Sequence, residues 1–272
     1  MIGLTKSSWA LASMYRGGSR LFKSNQEILI NIALCCNLIL DMTVAKLKNS
    51  LKNLAEPKRA EVLPRFFQTQ KGGYGEGDKF LGVTVPNQRK VANKFNTLTS
   101  SDLKKLLQSS IHEHRLTSLF IIIHQFEWGN HKQKKQLIDL YKKNLRYVNN
   151  WDLVDSSAPY LLGNFLRTRS KNILYQYARS PNLWRRRVGI LSTFGFIKQG
   201  EYKDALAIAN ILLNDEHDLI HKAVGWMLRE IGKRDKEELV AFLDKHYDTM
   251  PRTMLRYAIE KLNQKERAHY MK

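Results

Sequence analysis

The stretch Arg185-Arg186-Arg187-Val188-Gly189-Ile190-Leu191 lines up with His221-Lys222-Ala223-Val224-Gly225-Trp226-Met227 at an offset of 36 residues. In both, a polar start leads into an apolar run with a glycine at the same place. Stepping back from Arg187 by the same interval reaches Trp151 and then Arg115, each at the polar start of an apolar segment. The register 115, 151, 187, 223 marks a repeated unit, and a period of about 36 made of paired helices is near the HEAT, armadillo and TPR range. Such units stack into a helical-repeat solenoid, and equivalent positions then form a continuous stripe, the expected binding face. A compact helical bundle is the competing arrangement.

Outward from this stretch the same pattern continues. From Val44 to Lys272 apolar residues recur at spacings of three and four, and no segment alternates long enough for a sheet, so the fold class is all α. Breaks are expected at Thr99-Ser100-Ser101-Asp102, Gly129-Asn130, Asn149-Asn150, Ser180-Pro181, Gly200, Asn214-Asp215, Gly232 and Met250-Pro251. With 15 Gly and 6 Pro in 272 residues, a turn-rich β sandwich, a collagen-like chain and a low-complexity chain are excluded. Residues 44–272 read as one domain. Residues 1–43 read as an N-terminal extension that is dispensable or a mis-assigned start, with Met42 as an alternative first residue. Within it, Ile28 to Leu40 is apolar apart from Asn31 and Asn37, but it falls short of the ~20 residues a membrane helix requires. No small-residue cleavage site follows it. The two cysteines, Cys35 and Cys36, are adjacent and offer neither a disulfide framework nor a zinc site. A cytoplasmic, reducing setting is expected.

Charge points to a partner. The chain carries 45 Lys and Arg against 25 Asp and Glu, a formal net charge of +20, which favours a polyanion, nucleic acid before anionic membrane. Residues 131–200 concentrate this charge, with Asp139, Asp152 and Asp155 as the acids among many cations, as expected of a surface set against phosphates. A carboxylate there repels the partner, so Asp152 and Asp155 require a reason. Trp151 and Asp155 are four residues apart and share a helical face, the 36-residue register adds Arg187, and Trp226 follows position 223 by three. These four residues are expected to converge. Arg187 would hold phosphate, the indoles would offer flat apolar surfaces, and the carboxylate would work where positive charge develops. Asp152 and Asp155 also admit a plainer reading, as helix N-terminal acids or ion-pair partners.

Other motifs carry less. Gly72-Gly73-Tyr74-Gly75-Glu76-Gly77-Asp78 lacks the Gly-Lys-Ser/Thr ending of a phosphate-binding loop and follows a helix, so no nucleotide cofactor is expected. His112, His114, His217 and His221 read as exposed polar helix residues, and no metal is expected.

The segments Tyr74 to Val83, Val148 to Asp155, Leu183 to Arg187 and Lys222 to Glu230 together resemble the DNA alkylation repair family, the AlkD-like group of HEAT-repeat DNA glycosylases. The resemblance spans roughly residues 44 to 262. Residue by residue, it implies that Asp155 is the catalytic aspartate, that Trp151 and Trp226 face the sugar, and that Arg187, within the run Arg185, Arg186 and Arg187, contacts the DNA backbone. A lesion-side aromatic falls on Phe66. The activity it implies is hydrolysis of the N-glycosidic bond of N3- and N7-alkylated purines in duplex DNA, the opening step of base excision repair, which leaves an abasic site. No cofactor and no membrane enter, and the protein is expected to act as a monomer. A base alkylated at these positions is already cationic and leaves without a general acid, so an ionised Asp155 beside indole faces suffices to stabilise the sugar cation. Neighbouring arginines are expected to keep it ionised. The competing class is a non-catalytic HEAT-like scaffold for nucleic acid or an acidic protein, with Asp155 structural.

Overall fold

Thr43 opens the first described helix: its backbone is extended and its hydroxyl accepts the Lys46 N–H at 3.2 Å, one turn in. The computed structural model describes residues 42–272, so the expectation for 1–43 lies outside the described residues except for its last two. The helices are α1 (Val44–Lys52), α2 (Pro57–Phe66), α3 (Val85–Lys94), α4 (Ser100–Leu107), α5 (His112–Trp128), α6 (His131–Lys143), α7 (Trp151–Asp155), α8 (Asn164–Leu166), α9 (Asn172–Ala178), α10 (Leu183–Ser192), α11 (Phe194–Ile197), α12 (Lys203–Ile211), α13 (Asp218–Gly232), α14 (Lys236–His246), α15 (Arg252–Ile259) and α16 (Gln264–Tyr270). Among the described residues there is no strand beyond one isolated bridge between Lys79 and Ile111.

The helix starts are chemically specified where the sequence breaks. Thr99 caps α4 by accepting from Asp102 N, Asn130 and Gln133 form a reciprocal capping box on α6, and Asn182 caps α10 by accepting from Arg185 N. Gly200 ends its turn with φ +76°.

The register positions fall in the early turns of α5, α7, α10 and α13, and these four helices pack against one another in that order, with α15 beyond α13. A second row covers them: α6 lies on α5, α9 on α10, and α12 and α14 on α13. This is an all-α helical repeat. Its two equivalent glycines have a packing reason: a Cβ on Gly225 would come within 2.4 Å of Met254 O, and one on Gly189 within 3.0 Å of Leu174 O. Each glycine therefore lets another helix backbone approach, α15 in one case and α9 in the other. Leu119, Ile121 and Ile122 on α5, Ile190 and Leu191 on α10 and Val224 and Leu228 on α13 are fully buried and make the core continuous along the row. No described helix is long and apolar enough to cross a membrane.

Candidate nucleic-acid site

Helix α7 is one turn and a half long, far too short to be stable alone, so its orientation depends on what grips its two ends. Asn150 starts it, the side chain accepting Trp151 N at 2.8 Å. At the far end the Asp155 carboxylate accepts from Arg187 Nε and Nη2, both at 2.7 Å, a bidentate pair in which the aspartate side chain is 18% exposed and the arginine 5%. Arg187 Nη1 also donates to Leu219 O. One guanidinium thus ties α7, α10 and α13 together. Burial pushes the Asp155 carboxyl above the ordinary aspartate value, Arg187 pulls it back, and Asp152 pushes it further up. The result is an anion that is paired and more basic than usual.

Trp151, one turn before Asp155, is half-buried. Phe67 stacks on it at 5.4 Å and Phe66 meets it edge-on at 5.7 Å. Phe66 is 60% exposed, an aromatic ring presented to solvent beside that indole. Trp226 is also half-buried and lies one helix further along the row, its ring tilted against Phe194 at 6.1 Å. Trp151, Asp155 and Arg187 are therefore brought together, while Trp226 packs on Phe194, an aromatic pair of its own.

Two readings of the arginine run are corrected. Arg187 does not offer its guanidinium to solvent, because the nearest strong acceptor is Asp155 and all three of its nitrogens bond to protein. Arg186 likewise bonds to Asp215 at 2.6 Å and to Ser180 O and Pro181 O at 3.1 and 3.0 Å, stitching the turn before α10 to the α12–α13 turn. Arg185 alone of the three is exposed and in no ion pair among the described residues. The surrounding zone also holds Lys143, Arg146, Arg167 and Lys198, in no ion pair among the described residues, whereas Lys135 and Lys142 bracket Asp139.

The histidines are corrected as well. His112 is 2% exposed and His114 7%. His112 Nδ1 lies 2.9 Å from Asp78 Oδ2 and Nε2 lies 2.7 Å from Asp152 Oδ2, while Arg115 Nη2 reaches Asp78 Oδ1 at 2.5 Å. His114 bonds to Ser109 Oγ at 2.9 Å, and burial pushes its ring down to about 4. His217 caps α13 by accepting Leu219 N, and His221 bonds to Asp215 O. Asp152 is thus explained by a buried cation and not by the helix terminus alone.

The glycine-rich segment, which resembles no phosphate loop, is built into the site. Its end is anchored by Glu113, whose carboxylate accepts from Leu81 N, Gly82 N and Val83 N at 2.8 to 3.3 Å. That anchorage delivers Asp78 to His112. Tyr74 packs edge-on to Trp184 at 5.9 Å and its hydroxyl donates to Phe66 O at 3.3 Å. Asp78, His112 and Tyr74 were invisible to periodicity, because none of them stands at a register position; Arg115 does, but the register gave it no partner. The one available signal was Asp152 itself, an acid in a cationic zone with no basic residue in its own helix.

Taken as chemistry, the cluster presents a partly buried carboxylate, held rigid by a guanidinium, with an indole on the same helical face. That arrangement stabilises a cation brought against it.

A family model described as DNA alkylation repair enzyme matches residues 47–262. A solved structure described as a predicted DNA alkylation repair enzyme from Enterococcus faecalis superposes with a TM-score of 0.61 at 14% identity, covering 77% of this chain and 97% of that one. At that identity the likeness speaks for the fold alone. No curated protein matches the chain.

Proposed function

The chain belongs to the DNA alkylation repair enzyme family, and from that premise we propose that it is a monofunctional DNA glycosylase acting on cationic N3- and N7-alkylpurines in duplex DNA. The observation that carries this reading is the Asp155 carboxylate, partly buried, clasped by Arg187 and one turn from the Trp151 indole. The C1′–N bond breaks with its electron pair returning to the alkylated ring, so the base departs neutral. The positive charge moves to the sugar, where Asp155 and the indole faces of Trp151 and Trp226 oppose it. Water adds to C1′ and passes its proton to Asp155, yielding a base and an abasic strand. Since the leaving group brings its own charge, no step calls for a metal, a nucleotide or a second carboxylate. Phe66, exposed beside Trp151, takes the lesion side.

The experiment is release of 7-methylguanine or 3-methyladenine from methylated duplex, read by chromatography. Release with an intact strand that breaks only on alkali, and without a borohydride-trapped adduct, supports the reading. No release assigns the chain to the scaffold class.

Backbone binding belongs to the exposed cations. Arg185→Ala should reduce the slope of log affinity against log salt by about 0.9, one phosphate contact, with thermal stability unchanged. An unchanged slope would take Arg185 off the DNA.

The pH profile follows from the direction of the Asp155 shift. Because burial raises its pKa, and the ionised form is the active one, release should fall as pH drops through a midpoint above the ordinary aspartate value of 3.8. A rate that is flat until the protein unfolds would contradict this.

A further inference from the structure

We propose that His112 is a positioning residue for the reaction inferred above: its imidazolium bridges Asp78 and Asp152 and thereby fixes the short helix that presents Trp151 and Asp155. The proposal rests on that reading for its catalytic consequence and on geometry for the positioning itself.

Both ring nitrogens face carboxylate oxygens, Nδ1 to Asp78 at 2.9 Å and Nε2 to Asp152 at 2.7 Å. An ionised carboxylate only accepts, so both nitrogens must donate, which requires the doubly protonated ring. A neutral imidazole would abandon one of the two acids. The charges then balance: two carboxylates against the imidazolium and Arg115, which holds the other oxygen of Asp78 at 2.5 Å. Asp78, His112 and Arg115 have side chains no more than 4% exposed, so an unpaired member would be a buried, uncompensated charge. Asn150 adds a longer contact to Asp78 at 3.4 Å. These are the charged and polar groups that face His112, from the glycine-rich loop, from α5 itself and from the start of α7. Phe67 and Phe80, stacked on each other at 5.1 Å, both lie against the ring, each with its centroid at 4.9 Å. Burial opposes the charged ring, but Asp152 and Asp78 outweigh it and push its pKa up to about 9.

Two routes lead from His112 to the site. Asp152 follows Trp151 directly and precedes Asp155 by three residues, so the Nε2 bond pins the first turn of α7 while Arg187 pins its end. Phe67, which lies on the imidazole, is also the ring stacked on Trp151, with planes 19° apart. A helix of five residues has no stability of its own to hold these directions. Asp152 also raises the Asp155 pKa, and the imidazolium beside it offsets that charge. The sign follows: the contribution is complete below the ordinary histidine value of 6.5 and is lost as pH rises through about 9.

The test uses the full chain and two readouts. The Trp151 indole N–H resonance, assigned with Trp151→Phe, is followed by NMR from pH 7 to 10 alongside the His112 ring. Both should move with one midpoint, near 9, and in His112→Gln the indole signal should be displaced at pH 7 and no longer follow pH. Asp152→Asn should displace it in the same way and lower the His112 midpoint. In single-turnover assays on methylated duplex, His112→Gln should slow base release on the order of 10²-fold, the cost of an ångström-scale misplacement, with affinity for undamaged duplex within about twofold. The wild-type rate should fall above the His112 midpoint, and that limb should be absent from the variant. An indole signal that ignores His112 titration in the wild-type protein overturns the proposal, as does a folded His112→Gln with wild-type rate and indole position. If the wild-type protein releases no base, the glycosylase reading fails, while the indole titration still decides the positioning.

Discussion

Asp155→Asn will slow release of 7-methylguanine or 3-methyladenine by roughly 10² to 10³, the range typical of a lost electrostatic contact to the transition state. Asparagine keeps the shape and loses the charge that, in the proposed reaction, opposes the developing sugar cation. It also offers Arg187 one acceptor oxygen where two stood at 2.7 Å, leaving a guanidinium that is 5% exposed without its counter-ion. The variant should therefore melt lower, by the equivalent of about 3 kcal/mol, at the low end for a pair whose aspartate side is partly open to solvent. Affinity for undamaged duplex should stay equal or rise, because a negative charge has been removed from a cationic surface and a positive one uncovered. Catalysis and binding thus move apart, which a scaffold with a structural Asp155 would not show. Wild-type rates of base release in this variant, at protein concentrations where it is folded, would end the glycosylase assignment for this residue. Asp152→Asn is not silent either, since it removes one of the two carboxylate charges that face His112 and leaves one acceptor oxygen where His112 and Leu153 N used two.

Arg187→Gln should lose base release to a similar extent without lowering the salt slope of DNA binding. The register placed this arginine on a phosphate. The structure places it under Asp155 instead, where its charge also restrains a carboxyl that burial pushes up. Removing it lets the Asp155 pKa climb and frees one end of α7, so the acid limb of the rate profile should move to higher pH. Because Arg187 also bonds Leu219 O, the substitution severs the tie between α10 and α13, and the melting temperature should fall, by roughly 2–4 °C per kcal/mol for a domain of this size. Arg187→Lys should not rescue it, as an ammonium cannot match both carboxylate oxygens in the plane of a guanidinium. The double variant Asp155→Asn/Arg187→Gln should be little slower than either single one, since the two act as a unit. A slope that drops by about 0.9 with the release rate intact would return Arg187 to the DNA backbone.

The sequence by itself determined the class of the fold, the repeat and half of the cluster proposed as the site. Apolar spacing of three and four residues makes helices whatever the partners, and Thr99, Asn130 and Asn182 cap them through hydrogen bonds reaching three residues along the chain. Local rules suffice for such features. The 36-residue register found Trp151, Asp155 and Arg187 because stacking repeats turns equal sequence intervals into spatial adjacency, and the guanidinium does meet the carboxylate across α7 and α10. The plainer reading of Asp155 as an ion-pair partner is what the structure shows, and it is compatible with the proposed role, for a paired carboxylate is a positioned one.

What only the tertiary structure decided is which charges are paired with which. Arg185, Arg186 and Arg187 are indistinguishable as letters, yet one faces solvent, one closes a turn and one clasps the aspartate, because successive helical residues point about 100° apart into different surroundings. Asp78 meets His112 across 34 positions and His112 meets Asp152 across 40, through a loop held by Glu113 that belongs to no repeat. No periodicity connects them. Their association is set by desolvation: once packing buries one such charge, the others must gather around it, and where they come from along the chain is decided by the folded backbone and not by any local preference of the residues themselves.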